Sequence, residues 1–188
     1  MSYRELKPRI EAAGLDLAKH PLVVVGVRGY YRDSLGAVGA NDRGIYDDAL
    51  FLVSESHFSA YNANTDPSRK RAGAGSGRGK GMARLNPGVW VVYRFDIHGS
   101  RSDPHFALCQ RGGPVEVTRD GRPDYLDRGY FGINIHRGGR SGTSSEGCQT
   151  VHPSQWSGFI NAAVDQAKRF HGRKWQTTNL PYVLLDGG

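Results

Sequence analysis

"HPSQWSGFINAAVDQAKRFHG", residues 152–172, places Trp156, Phe159, Ile160, Ala163, Val164, Ala167 and Phe170 at i, i+3, i+4, i+7, i+8, i+11 and i+14. That spacing draws one apolar stripe along an α-helix. With Ser154 as the expected N-cap and Gly172 as the stop signal, it predicts a helix over 155–171. Upstream the pattern is different. "PLVVVGVRGYY" (21–31) is β-branched and extended, and "ALFLVSE" (49–55) with "HFSAYNA" (57–63) reads as a strand pair. "GVWVVYRFDIHG" (88–99) is the strongest strand, opened by the Pro87-Gly88 turn. "HFALCQ" (105–110), "VEVT" (115–118) and "YFGINIH" (130–136) continue as short strands, and "LPYVLLD" (180–186) adds one after the helix. Asp120-Gly121 marks a tight turn. At the start, Leu6, Ile10, Leu15 and Leu17 give partial helical spacing over 3–19, weakened by Pro8. The expectation is one α+β domain over 1–188, mainly β, with a helix near each end and no linker or repeat.

The bulk properties exclude several classes. A chain of 188 residues with 38% hydrophobic and 23% charged residues suits a folded, soluble domain with its own core. No run approaches the roughly 20 apolar residues of a membrane span. The first residues show no secretory signal, so the expected origin is the cytoplasm. Two cysteines, Cys109 and Cys148, make neither a disulfide framework nor a four-thiolate zinc site, which leaves one free to act as a nucleophile. The net charge of +7 favours anionic partners. Arg69, Lys70, Arg71, Arg78, Lys80 and Arg84 follow one another with no acid among them. The glycines between them fail the phosphate-loop pattern, because Ala74 stands five before Gly79 and Gly81 follows Lys80. That segment reads as a mobile basic loop with a secondary role against anionic substrate.

Reactive side chains concentrate in "HRGGRSGTSSEGCQ" (136–149). A free thiol of pKa near 8.5 needs a base or a positive environment, and donors for the oxyanion it creates. Cys148 follows Gly147, where bare backbone approaches a substrate closely. His136 ends an extended run in which Asn134 and His136 share one face and Ile133 and Ile135 the other. Asn134 is then placed to orient the imidazole. Arg137 and Arg140 are candidates for lowering the thiol pKa or binding a carboxylate. Thr143, Ser144 and Ser145 are candidates for shaping the turn or donating to substrate.

"IHRGGRSGTSSEGCQTV" (135–151) resembles the catalytic motif of the L,D-transpeptidase family. There a histidine opens a loop that closes on Ser/Thr-His-Gly-Cys; the matching residues are His136, Ser145, Gly147 and Cys148. The order, His before Cys, argues against papain-like families. Departures fall at Glu146, where a second histidine is common, and at Gln149 and Thr150, where an aliphatic residue and Arg or Asn usually follow. Arg137 or Arg140 would replace that basic group. "GVRGYYRDSLG", "NDRGIYDDALFLVS", "NANTDPSR" and "FGINIHRGG" extend the likeness to phage-encoded proteins carrying the motif. The resemblance implies a β-sandwich or barrel core and a thioester mechanism on peptidoglycan stem peptides. Cys148 is the nucleophile, His136 the base, and the Gly147 and Cys148 N–H groups the oxyanion donors. It further implies an endolysin-like peptidase that degrades host peptidoglycan; the chain is separately expected to be a monomer that needs no cofactor and no metal.

Other residues weigh less. Cys109 fits a core position, and His98, in "HGS", resembles the motif's first half without a Gly-Cys partner. His152 suits the helix start. His20, His57, His105 and His171 read as solvated or core residues, and Asp47-Asp48 lacks a His/Cys cluster to make a metal site. Two alternatives remain: an L,D-transpeptidase that forms or exchanges cross-links, and a non-enzymatic basic module binding wall polymer or nucleic acid without sequence specificity.

Overall fold

The computed structural model describes residues 1–74 and 79–187. Helix α1 (Tyr3–Ala12) precedes β1 (Leu22–Arg28), β2 (Asp48–Ser54), β3 (His57–Asn64), β4 (Ala83–Leu85), β5 (Gly88–His98) and β6 (His105–Gln110). Then come β7 (Val115–Arg119), β8 (Tyr125–Gly129), β9 (Ile135–Arg137), β10 (Gln149–Val151), helix α2 (Pro153–His171) and β11 (Leu180–Asp186). Eight strands close a barrel in the order β1-β11-β5-β6-β9-β10-β3-β2, while β4, β7 and β8 form a small separate sheet. The fold is α+β and mainly β, as the residue pattern predicts.

The unbroken apolar runs of β1 and β2 follow from burial on both faces. Val23, Val25, Val27, Phe51 and Val53 pack under Leu6 and Ile10 of α1. The alternate residues Leu22, Val24, Leu50 and Leu52 join a second cluster with Trp156, Phe159, Ile160, Ala163 and Ala167 of α2. The α2 stripe is therefore the buried face that its spacing predicts.

Three boundaries differ from expectation. The first helix ends at Ala12 rather than at residue 19: the chain turns at Gly14, and Asp16 accepts from the Ala18 N–H to start a new turn. Leu15 is buried from that turn, not from a helix face. At α2, His152 rather than Ser154 is the N-cap, its Nδ1 accepting from the Ser154 N–H, with Pro153 as the first helical residue. In 130–136 only Ile135 and His136 are strand, because the Phe131 and Ile133 N–H groups both donate to the Gln110 side chain instead of to a neighbouring strand. The short β4, β8 and β10 carry too few apolar residues to announce themselves.

Of the basic segment, 75–78 and with it Arg78 lie outside the described residues. The rest is pinned rather than a mobile loop: Met82 N–H donates to Arg71 O, Gly73 N–H to Asp120 O and Ala74 N–H to Gly79 O. Asp48 has a structural job, accepting from the Gly29 and Thr65 N–H groups.

Candidate functional site

The strands that flank the glycine-rich loop are parallel neighbours, with Ile135 opposite Gln149 and His136 opposite Thr150. The loop between them is tied down at several points. Tyr46 Oη donates to Gly139 O at 2.7 Å, and Ser68 N–H to Ser145 O at 2.8 Å. Ser68 Oγ accepts from Ser145 N–H at 2.7 Å and lies 2.7 Å from Thr143 Oγ1. Ala83 N–H donates to Glu146 O at 3.2 Å. Glycine-rich composition here produces a fixed loop, because its hydroxyls and carbonyls are spent on neighbouring elements.

Cys148 opens into a cleft of about 710 Å³. Gly132, Ile133, Met82 and Ala83 form its walls, and Arg71, Lys80 and Arg119 bring positive charge. The thiol donates to Gly132 O at 3.3 Å and accepts from the Asn134 N–H at 3.4 Å. Burial pushes it up to about 11. Gly147 is required by both its φ of +152° and its surroundings: a Cβ there would sit 2.5 Å from Ala83 O and 2.9 Å from Ile133 Cδ1. Gly147→Ala is therefore expected to cost about 2–4 kcal/mol in urea unfolding, through strain and overpacking together. Wild-type stability in that variant would remove the constraint.

The other expected site residues divide. The Gly147 N–H is not free for an oxyanion, since it donates to Ser145 Oγ at 3.0 Å. Ser145 is buried, and its hydroxyl donates to Cys148 O at 2.7 Å, so it shapes the loop rather than meeting substrate. Among the described residues the Cys148 N–H has no hydrogen-bond partner. Arg137 is not beside the thiol: its guanidinium holds the Asp103 carboxylate at 2.6 and 2.7 Å. With Arg140 it lines a different hollow, bounded by Gly138, Ser144 and Pro153. The cations of the thiol cleft come instead from the basic segment and β7.

His136 is buried, and its Nδ1 donates to Arg137 O at 2.7 Å, which leaves Nε2 as the lone-pair nitrogen. It makes no hydrogen bond to Cys148. Cys148 immediately precedes β10, two residues before Thr150, which pairs with His136 in the β9–β10 register. Burial, with His98 second, lowers His136 to about 4. Asn134 does not orient His136 directly. Its Oδ1 accepts from the Gln110 N–H at 2.9 Å, so its Nδ2 faces His98 Nδ1 at 3.1 Å. His98 in turn stacks on His136, with ring centroids 4.2 Å apart. His105, opposite His98 across the β5–β6 hairpin, completes a trio. The solvated or core reading of His105 thus gives way to a partnered one. The signal lay in the hairpin, since strands 88–98 and 105–110 about one turn pair their end residues.

Among known proteins, no family model, no curated protein and no solved structure matches this chain.

Proposed function

We propose that the chain is a cysteine peptidase of the L,D-transpeptidase type, cleaving peptidoglycan stem-peptide or cross-link amides through a thioester at Cys148. One observation carries the reading: the thiol lies in a cationic cleft, two residues before the Thr150 that pairs with His136, whose Nδ1 is engaged by the Arg137 carbonyl and whose Nε2 is left as the lone-pair nitrogen. The barrel with its His and Cys strands as parallel neighbours is, on this reading, an L,D-transpeptidase-like core.

The resting pair is neutral. A thiol pushed up to about 11 and an imidazole lowered to about 4 do not form a thiolate–imidazolium pair. At pH 7 the thiolate fraction is about one part in 10⁴. The proton therefore leaves Sγ as the carbon–sulfur bond forms, turning away from Gly132 O and reaching His136 Nε2 through one bridging water, since no direct hydrogen bond joins the two. The oxyanion takes the Cys148 N–H, and the departing amine collects the proton from His136. Water then attacks the thioester and regenerates the thiol.

Charge selects the substrate. Lys80 and Arg119 share the single Asp127 carboxylate at 2.7 and 2.6 Å, which leaves one positive charge unmatched beside the cleft. Among the described residues the one ion-pair partner of Arg71 is the exposed Glu146, at 3.5 Å. A stem-peptide carboxylate would take Arg71 from that weak partner. The overall charge of +7 favours residence on an anionic wall, consistent with an endolysin-like role.

The test is digestion of purified peptidoglycan followed by mass spectrometry of the muropeptides. Uncross-linked or shortened stems are expected. New cross-links or exchanged D-amino acids would make the thioester's acceptor an amine, and an unchanged muropeptide profile would overturn the reading.

A further inference from the structure

We propose that His98, His105 and His136 form a binding site for a divalent transition-metal ion of the zinc class, and that the bound ion holds the enzyme inactive. The inhibitory half rests on His136 being the base; the binding half does not.

Each of the three residues offers a ring nitrogen, and the three nitrogens lie within 4.8 Å of one another. Nitrogens around a tetrahedral zinc ion, with bonds of about 2.05 Å, are about 3.3 Å apart. Closing that gap takes rotation of the imidazoles, with the stacked His98 and His136 rings turning out of their parallel arrangement. The donor set is all imidazole, which suits zinc, copper or nickel and not magnesium or calcium.

A second observation points to a ligand. His105 Nε2 is buried and has no hydrogen-bond partner. Its Nδ1 lies 3.2 Å from Asp103 O, as His136 Nδ1 lies 2.7 Å from Arg137 O. Histidines that bind metals characteristically donate one ring N–H to a carbonyl and present the other nitrogen. His105 and His136 already stand in that state. His98 is the ligand that must adjust, because its Nδ1 accepts from Asn134 Nδ2. Binding through that nitrogen, or through Nε2 after the proton moves to Nδ1, gives up this one hydrogen bond. The Trp156 ring, edge-on to His105 at 6.0 Å, supplies an apolar wall.

An ion on His136 Nε2 occupies the lone pair that the proposed mechanism uses to accept the Cys148 proton. Zinc would then act as a reversible brake, and chelation would release it. None of the three histidines lines the cationic cleft, so the ion would act on the base and not by occupying the space where the cations gather.

The test titrates the untagged, chelator-treated chain with Zn²⁺ by calorimetry and with Co²⁺ by visible absorption. One ion per chain is expected, with micromolar or tighter affinity and the intense absorption of low-coordinate Co²⁺. His105→Ala is expected to weaken binding by roughly 100-fold or more, since it removes one of three ligands. In metal-free buffer that variant should cleave peptidoglycan like wild type, and added zinc should inhibit wild type but not the variant. His105→Gln, which removes the same imidazole and keeps a polar side chain of similar size, supplies the same comparison if His105→Ala does not fold. Affinity weaker than millimolar in wild type, or wild-type affinity in the folded variants, overturns the site. Specific binding in a chain that never cleaves peptidoglycan upholds the site and overturns the brake together with the catalytic reading.

Discussion

Cys148→Ala is expected to lower peptidoglycan cleavage by on the order of 10³–10⁶, the range in which loss of a nucleophile is usually felt. The fold should survive. The thiol is a weak hydrogen-bond partner, and its removal leaves only the Gly132 carbonyl and the Asn134 N–H to be satisfied at the cleft surface. The change in unfolding free energy is expected to stay within about 1–2 kcal/mol. Retained cleavage by a folded Cys148→Ala protein would end the thioester reading. Alkylation gives the complementary measurement. With the thiol pushed up to about 11, labelling of Cys148 should be slow at neutral pH and rise about tenfold per pH unit toward that value. Cys109 is fully buried and also pushed up to about 11, so one label per folded chain is expected. Flat, rapid alkylation from pH 6 upward would instead reveal a resting thiolate and move the proton transfer ahead of substrate binding.

The elements that the residue pattern identifies correctly are those where burial imposes a period. The stripe from Trp156 to Ala167 and the two-sided runs of β1 and β2 had to be helix and strands, because no other conformation buries those side chains together. The loop closing on Gly147-Cys148 was legible for a chemical reason: a thiol in a polar, glycine-rich stretch has no packing role to explain it. What stayed hidden depends on long-range pairing. Arg137 lies one residue from His136, yet its carboxylate partner comes from residue 103. The cations beside the thiol come from 71, 80 and 119: Arg119 ends β7, while Arg71 and Lys80 lie outside the strands and are held by Asp120 and by Asp127 of β8. The hydroxyl of Ser145 looked available until Gly147 and Cys148 took it. The histidine trio joins residues 98, 105 and 136, and only the register of β5, β6 and β9 brings them together.

Gln110→Ala is expected to be the most destabilising single change outside the apolar core, at about 3–5 kcal/mol. Gln110 is 3% exposed at the end of β6, and its amide makes four hydrogen bonds to backbone. Nε2 donates to Gly113 O at 3.0 Å and to Gly129 O at 2.9 Å; Oε1 accepts from Phe131 N–H and Ile133 N–H, both at 3.1 Å. Gly113, Phe131 and Ile133 lie outside any strand and Gly129 is the last residue of β8, so truncation removes the partner that Gln110 supplies where the sheet ladders end. Each buried, unsatisfied group costs about 1–3 kcal/mol, lessened where water enters from the cleft. Urea unfolding measures the loss. Gln110→Glu separates the two halves of the network: its first oxygen still accepts from 131 and 133, but its second faces the 113 and 129 carbonyls, so the ionised form should be at least as unstable as Gln110→Ala and should recover in part as the carboxyl is protonated at lower pH. The consequence extends to the site, because the same segment positions the Gly132 carbonyl that holds the thiol proton. At temperatures where Gln110→Ala remains folded, cleavage should drop along with stability. A variant that matches wild type in both would show that the 129–133 segment is held by its apolar contacts alone.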